Sequence, residues 1–244
     1  MFNFFFRSAV NETPVGEILK ADMHSHLLPG IDDGAPDLET SIQLIKSLKE
    51  MGYTKLITTP HTMEGLYDNT REIILAGLKE VKEELERQEI DIQLEAASEY
   101  FMDPHLAKLI ADDEILSFGT GKYVLIEMSF AAPSRNYESI IFDLITRGYK
   151  PVLAHPERYT YWHRKPELYE QVVQAGCLLQ VNLLSLTGYY GREIKKSGIG
   201  FLEKGMVSFL GTDLHHQKHH HSLTAHQRDY LSLIRDYPFK NAGL

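Results

Sequence analysis

Asp22-Met23-His24-Ser25-His26-Leu27-Leu28-Pro29-Gly30-Ile31-Asp32-Asp33-Gly34 is the stretch around which the rest of this chain can be read. In an extended strand successive side chains alternate faces, so His24 and His26 point the same way. The Gly- and Asp-rich run behind them is a turn. Two imidazoles and up to two carboxylates thus reach one strand end, the beginning of a metal site. The competing reading is an ordinary His-x-His pair followed by a plain turn, and the remainder of the chain decides between them.

Outward from this stretch, short apolar runs alternate with longer amphipathic ones. Strands are predicted at 21–24, 55–59, 92–98, 123–128, 151–154, 178–182 and 207–211, each brief and rich in apolar or β-branched residues, as suits strands buried on both faces. Helices are predicted between them: Pro36 to Met51, with Leu38, Ile42, Ile45 and Leu48 on one face, and Thr70 to Gln88, with Ile73, Leu78, Val81 and Leu85. Shorter ones are expected at 104–112, 137–147, 166–175, 192–204 and 222–235. Such alternation specifies an α/β fold with a parallel sheet, either an open doubly wound sheet or a closed barrel.

The strand ends choose between these. In turn they carry His24/His26 with Asp32/Asp33, then His61, Glu99, Glu127, His155 with Arg158, Asn182, and Asp213 with His215. In a parallel barrel the C-terminal strand ends share one rim, whereas an open sheet spreads them along an edge. Convergence of so many ligand-type residues therefore favours a closed, seven-fold or irregular barrel. Each residue alone has an ordinary alternative, such as a loop histidine or a surface carboxylate. Taken jointly, those alternatives require too many coincidences.

Composition bounds the rest. A chain of 244 residues without a Pro/Gly/Ser-rich break reads as one domain, 21–244, behind an aromatic-rich N-terminal tail, 1–20. The formal charge of -9 argues against a protein that neutralises nucleic-acid phosphates with a basic surface. The single cysteine, Cys177, permits no internal disulfide and fits a cytoplasmic location. No apolar run is long enough to span a bilayer, and the Phe-rich start lacks the features of a signal peptide.

Five histidines and up to four carboxylates, without thiolates, exceed the needs of one four-coordinate ion. Two or three ions sharing carboxylates fit better, with Mn, Zn and Fe(II) all admissible. Such clusters suit phosphate-ester hydrolysis: the ions turn a bridging water into hydroxide and neutralise phosphoryl charge, while Arg158 offers a planar bidentate contact. Other nucleophiles lack their signatures. Cys177 lies in an apolar run and has Leu183, not arginine, six residues on; no Gly-x-Ser-x-Gly elbow, Walker loop or dinucleotide fingerprint occurs. In the tract His215–His221 only His215 has strand-end placement; the others are read as a flexible rim loop, and His105, His163 and His226 as structural.

As a set, Asp22-Met23-His24-Ser25-His26 with Pro29-Gly30-Ile31-Asp32-Asp33-Gly34, Thr59-Pro60-His61, Glu99, Glu127, His155-Pro156-Glu157-Arg158-Tyr159 and Asp213-Leu214-His215 resembles the polymerase and histidinol phosphatase (PHP) superfamily. Within it, the chain looks most like bacterial tyrosine-protein phosphatases of the CpsB/YwqE type. The resemblance runs from about residue 21 to the C-terminus. It implies a distorted (β/α)7 TIM-like barrel with three divalent ions, usually Mn, at the C-terminal rim of the strands. His24, His26, Glu99 and Asp213 would surround one ion, Glu99 would bridge to a second that also involves His155, and Asp33, His61 and His215 would serve the third. Glu127 would complete the cluster.

Arg158 would hold phosphate, with His155 and Asp33 also at the reaction centre, and Asp32 would be a turn or supporting residue. The implied substrate is phosphotyrosine on the tail of a membrane-linked bacterial tyrosine kinase that controls polysaccharide export. A histidinol-phosphate-like phosphatase, a phosphodiesterase and a non-catalytic phosphoprotein-binding or metal-storing regulator are the alternatives. One departure stands out: relatives often carry an arginine several residues after Asp-x-His, where this chain has Lys218–His221.

Overall fold

The computed structural model describes residues 13–244. The Phe2–Phe6 run lies outside the described residues, as does most of the segment expected to be a tail. Strands β1 (Ala21–Asp22), β2 (Lys55–Thr58), β3 (His61–Thr62), β4 (Gln93–Ala96), β5 (Glu99–Phe101), β6 (Tyr123–Glu127), β7 (Lys150–Ala154), β8 (Leu178–Asn182) and β9 (Val207–Gly211) are joined by helical crossovers except between β2 and β3 and between β4 and β5. Every pairing between them is parallel, giving a three-stranded sheet β1-β2-β4 and a six-stranded sheet β3-β5-β6-β7-β8-β9.

The predicted second and third strands end at Thr58 and Ala96, and each is followed beyond its predicted bounds by a short further strand, β3 and β5, across the gaps at Thr59-Pro60 and Ala97-Ser98. Proline donates no ladder hydrogen bond, so pairing stops there and resumes one step later, and Ser98 Oγ donates to the Pro60 carbonyl across the gap. The other end of the circuit meets β1: an isolated parallel bridge joins Ser25 to Leu214, with His26 N donating to Leu214 O and Asp213 N to His24 O. The strand positions thus follow one another around a barrel-like ring.

Period-two alternation sorts the strand side chains into two layers. Ile57, Ala97, Leu125, Val152 and Phe209 cluster with Met23 inside the ring. Leu56, Val124, Ile126, Leu153, Leu179, Val181 and Leu210 face outward against the helices. The inner parity, carried on towards the C-terminal ends, reaches His61 from Ile57, Glu99 from Ala97, Glu127 from Leu125 and Asp213 from Phe209. The strands that fill the barrel with apolar groups therefore present ligand-type residues at its rim. His155 has the wrong parity after Val152 and Ala154, and it turns inward through a left-handed backbone, φ 34°.

The helices follow their predicted patterns. Helix α2 (Leu38–Glu50) begins two residues after the predicted start at Pro36: Asp37 is the cap, and its Oδ1 accepts Thr40 N at 2.8 Å. Thr70 caps α3 (Arg71–Arg87). Part of the expected tail is packed. Residues Val15–Leu19 form a short helix, here α1, whose Val15 and Leu19 join the core, and Gly16 N donates to Met51 O. Its apolar face needs cover that only the barrel offers. Among the described residues no helix is long and apolar enough to cross a membrane.

Candidate metal centre

At the rim, His24 and His26 are fully buried. His24 Nδ1 donates to Gln180 Oε1 at 2.8 Å, and His26 Nδ1 donates to Asp32 Oδ2 at 2.7 Å. Those partners fix the tautomers and leave the two Nε2 atoms facing each other at 3.4 Å. Glu99 Oε2 lies 3.0 Å from His24 Nε2 and 3.4 Å from that of His26. Asp213 Oδ1 lies 3.4 and 3.5 Å from the same nitrogens. Two opposed imidazole lone pairs flanked by two carboxylate oxygens suit a shared cation, and this donor set fits a divalent metal.

Two further groups adjoin this one. Asp33 Oδ1 stands 3.6 Å from His61 Nε2 and 3.5 Å from His215 Nε2, with the His26 ring stacked 3.9 Å from that of His215. His61 Nδ1 faces Glu99 at 3.3 Å and Glu127 at 3.0 Å. In each of the groups His24/His26/Glu99/Asp213, His26/Asp33/His61/His215 and His61/Glu99/Glu127, the donor atoms all lie within 4.8 Å of one another. His155 stands beside them, its Nε2 2.9 Å from Glu99 Oε1 and its buried Nδ1 without a hydrogen-bond partner. Every ligand-type residue picked out in the sequence is thus in this cluster or touching it.

Burial would raise the Glu99 and Asp213 carboxyls, yet the imidazoles around them outweigh it and hold both well below the usual range. The reciprocal effect on His24 is upward, to about 9: burial lowers it, and Glu99 and Asp213 more than compensate. A hydrogen bond from His215 leads the causes that bring Asp33 down to about 2.

Glycine shapes the floor in two places. A Cβ on Gly34 would fall 2.3 Å from the His26 carbonyl oxygen, and one on Gly211 would fall 2.7 Å from the His24 Cβ. The Asp-Asp-Gly turn and β9 therefore approach the histidines more closely than any other residue would allow.

Above the cluster opens a cleft of about 260 Å³, lined among others by Asp33, Glu127, Phe130, His155, Arg158 and Tyr190. Arg158 Nη1 donates to Asp213 Oδ2 at 3.1 Å, and Asn182 Nδ2 donates to the same oxygen at 2.7 Å. Sequence reasoning noted Asn182 at its strand end without giving it a role, and missed Gln180, Phe130 and Tyr190. Position could have found Gln180, which shares the inner parity of β8 with Asn182, but amide and aromatic residues carry no ligand signature.

The tract 215–221 is not the flexible loop expected. His216 caps α4 (Gln217–Ala225), its Nδ1 accepting His219 N at 3.3 Å, and His219 is nearly buried beside His215. Burial, followed by the His216 charge, pushes His219 down to about 4. The predicted last helix correspondingly divides into α4 and α5 (Gln227–Ile234).

Comparison with known families matches residues 20–233 to the family described as capsular polysaccharide synthesis, CpsB/CapC. The chain is 30% identical over 197 residues to the tyrosine-protein phosphatase YwqE of Bacillus subtilis, covering 81% of this chain and 78% of that one. It is 27% identical over 199 residues to the tyrosine-protein phosphatase CpsB of Streptococcus agalactiae, covering 80% and 82%. Among solved structures, the work on YwqE from Bacillus subtilis and CpsB from Streptococcus pneumoniae, described as unique metal-dependent tyrosine phosphatases, gives a match of TM-score 0.80 at 28% identity, covering 91% of this chain and 89% of that one. A histidinol phosphate phosphatase from Lactococcus lactis, complexed with zinc, L-histidinol and phosphate, matches with TM-score 0.53 at 14% identity, covering 90% and 93%, and shares the fold.

Proposed function

Because the chain belongs to the capsular polysaccharide synthesis family CpsB/CapC, we propose that it is a metal-dependent protein-tyrosine phosphatase. Its substrate in this reading is phosphotyrosine on the tail of a bacterial tyrosine kinase that regulates capsular or exopolysaccharide synthesis, and it works in the cytoplasm. The names of YwqE and CpsB support the activity. The observation that carries it is the convergence of His24, His26, Asp33, His61, Glu99, Glu127, His155, Asp213 and His215 at one rim beneath a cleft that also holds Arg158.

In this reading three divalent ions would be held, Mn being the first choice over Zn or Fe: one by His24, His26, Glu99 and Asp213, a second by Glu99 and His155, and a third by Asp33, His61 and His215, with Glu127 completing the cluster. When bound, such ions supply an acidified water and neutralise charge on the phosphoryl oxygens. The chain's own residues do the rest. Gln180 and Asp32 keep the Nε2 lone pairs of His24 and His26 turned inward. Arg158 offers its guanidinium edge to the phosphoryl group, where it stabilises the in-line transition state. Asp33 and His155 line the same cleft and flank the phosphorus. Cys177 offers no route to a cysteinyl-phosphate intermediate: it is buried away from the cleft, and burial pushes its thiol up to about 12.

Purified protein supplied with Mn²⁺ is expected to cleave an aryl phosphate, to lose that activity to a chelator, and to keep it as Cys177→Ala. Chelator-resistant, Cys177-dependent turnover would overturn the proposal. Side-by-side kcat/KM values for a phosphotyrosyl peptide and histidinol phosphate separate the protein phosphatase from the small-molecule one.

A further inference from the structure

The Arg158 guanidinium is held between two aromatic rings contributed by loops distant in sequence. Its Cζ lies 4.2 Å from the centroid of Phe130 and 4.3 Å from that of Tyr190. Each ring is backed in turn. Phe130 stands 5.4 Å from the His155 ring and 6.2 Å from that of Tyr159, while Tyr190 meets Tyr189 edge-on at 5.0 Å. Phe130 is nevertheless 46% exposed. A large apolar side chain left half in water, on a loop, with a cation under it is poorly explained by core packing. It is well explained by attraction between the cation and the ring face.

A planar cation with two rings packed this closely against it leaves an anion its open edge as the favoured approach. One end of that edge is occupied, since Nη1 donates to Asp213 Oδ2. We infer that Phe130 and Tyr190 are positioning residues that clamp Arg158 in one plane, so that its free edge meets a phosphoryl oxygen without first losing rotamer freedom. This rests on the phosphatase reading for its substrate, but the clamp itself concerns any phosphoryl group entering the cleft. The two rings also displace water from the guanidinium, which strengthens its remaining hydrogen bonds.

The test is a double-mutant cycle with two readouts: binding of inorganic phosphate to the Mn²⁺-supplied protein by calorimetry, and KM and kcat for an aryl phosphate. Phe130→Leu and Tyr190→Leu remove a ring but keep apolar bulk, whereas Phe130→Tyr and Tyr190→Phe keep a ring. Each leucine variant is expected to weaken phosphate binding and raise KM by about threefold to tenfold, the range of a cation–ring contact, with an unchanged melting temperature. The ring-keeping variants should restore both. In an Arg158→Lys background, which has charge without a plane, the leucine substitutions should cost nothing further.

Leucine variants equal to the parent, a loss that persists undiminished beside Arg158→Lys, or an Arg158→Lys protein binding phosphate as the parent does would each overturn the clamp. Failure of the phosphatase reading looks different: phosphotyrosyl peptide is not turned over, yet the Phe130–Arg158–Tyr190 coupling in phosphate binding persists.

Discussion

Asp213 divides its two oxygens. Oδ1 faces His24 and His26, while Oδ2 accepts from Arg158 and Asn182. Asp32 and Asp33, adjacent in sequence, divide the labour differently. Asp32 holds His26 Nδ1 and also accepts His61 N at 3.1 Å, whereas Asp33 faces His61 and His215 from the cleft. Asp32→Asn is accordingly expected to lower metal affinity by about 10- to 100-fold, a deficit that excess Mn²⁺ recovers. Asp33→Asn removes a donor, and its loss of kcat should persist at saturating metal; titrating activity against Mn²⁺ for both variants checks this.

The same scale gives a pH dependence. His24 is raised to about 9 in the metal-free protein, so its ion pairs contribute stability that is complete below its ordinary value near 6.5 and is lost as pH climbs to about 9. Metal requires the neutral imidazole, so metal affinity moves the other way, rising across that window with release of protons. Denaturant midpoints of the chelated protein between pH 6 and 9, with calorimetry of Mn²⁺ binding in two buffers of different ionisation heat, check both signs.

At the scale of elements, the residues of the rim cluster were legible because strand ends and parity are sequence properties. His61, Glu99, Glu127 and Asp213 each continue the inner face of a strand that can be recognised by its apolar run. Of the supporting residues, Asp32 was legible beside its histidine, but Gln180 was not, because its partner is remote: it meets His24 across 156 positions. The helical fate of the His216–His221 tract was also hidden. Its composition carries no apolar periodicity, and only a histidine acting as a cap starts the helix. The Thr59-Pro60 break, by contrast, was written in the proline.

Within β9, Gly211 makes a testable element-level demand. Gly211→Ala pushes a methyl against the His24 Cβ and within 2.8 Å of Gln180 Nε2. An overpacked core of this kind costs about 1–3 kcal/mol. Urea unfolding should show that loss, accompanied by weaker metal binding because His24 and its Gln180 partner shift together.

For the whole molecule, the ring closes where the first strand meets the last, and that seam is stitched by side chains as much as by backbone. Asp22 accepts from Thr212 N and Thr212 Oγ1, and the buried Asn241 donates to both Ala21 O and Leu210 O. Further along the seam stand His24 and His26 on one side and Asp213 and His215 on the other. A cation held among them would therefore act as a clasp on a necklace, fastening the two ends of the circuit that no continuous ladder joins. Hydrogen exchange should register it: the amides of His26 and Asp213, which cross the seam, are expected to slow far more on Mn²⁺ addition than those of β6 and β7 on the opposite wall.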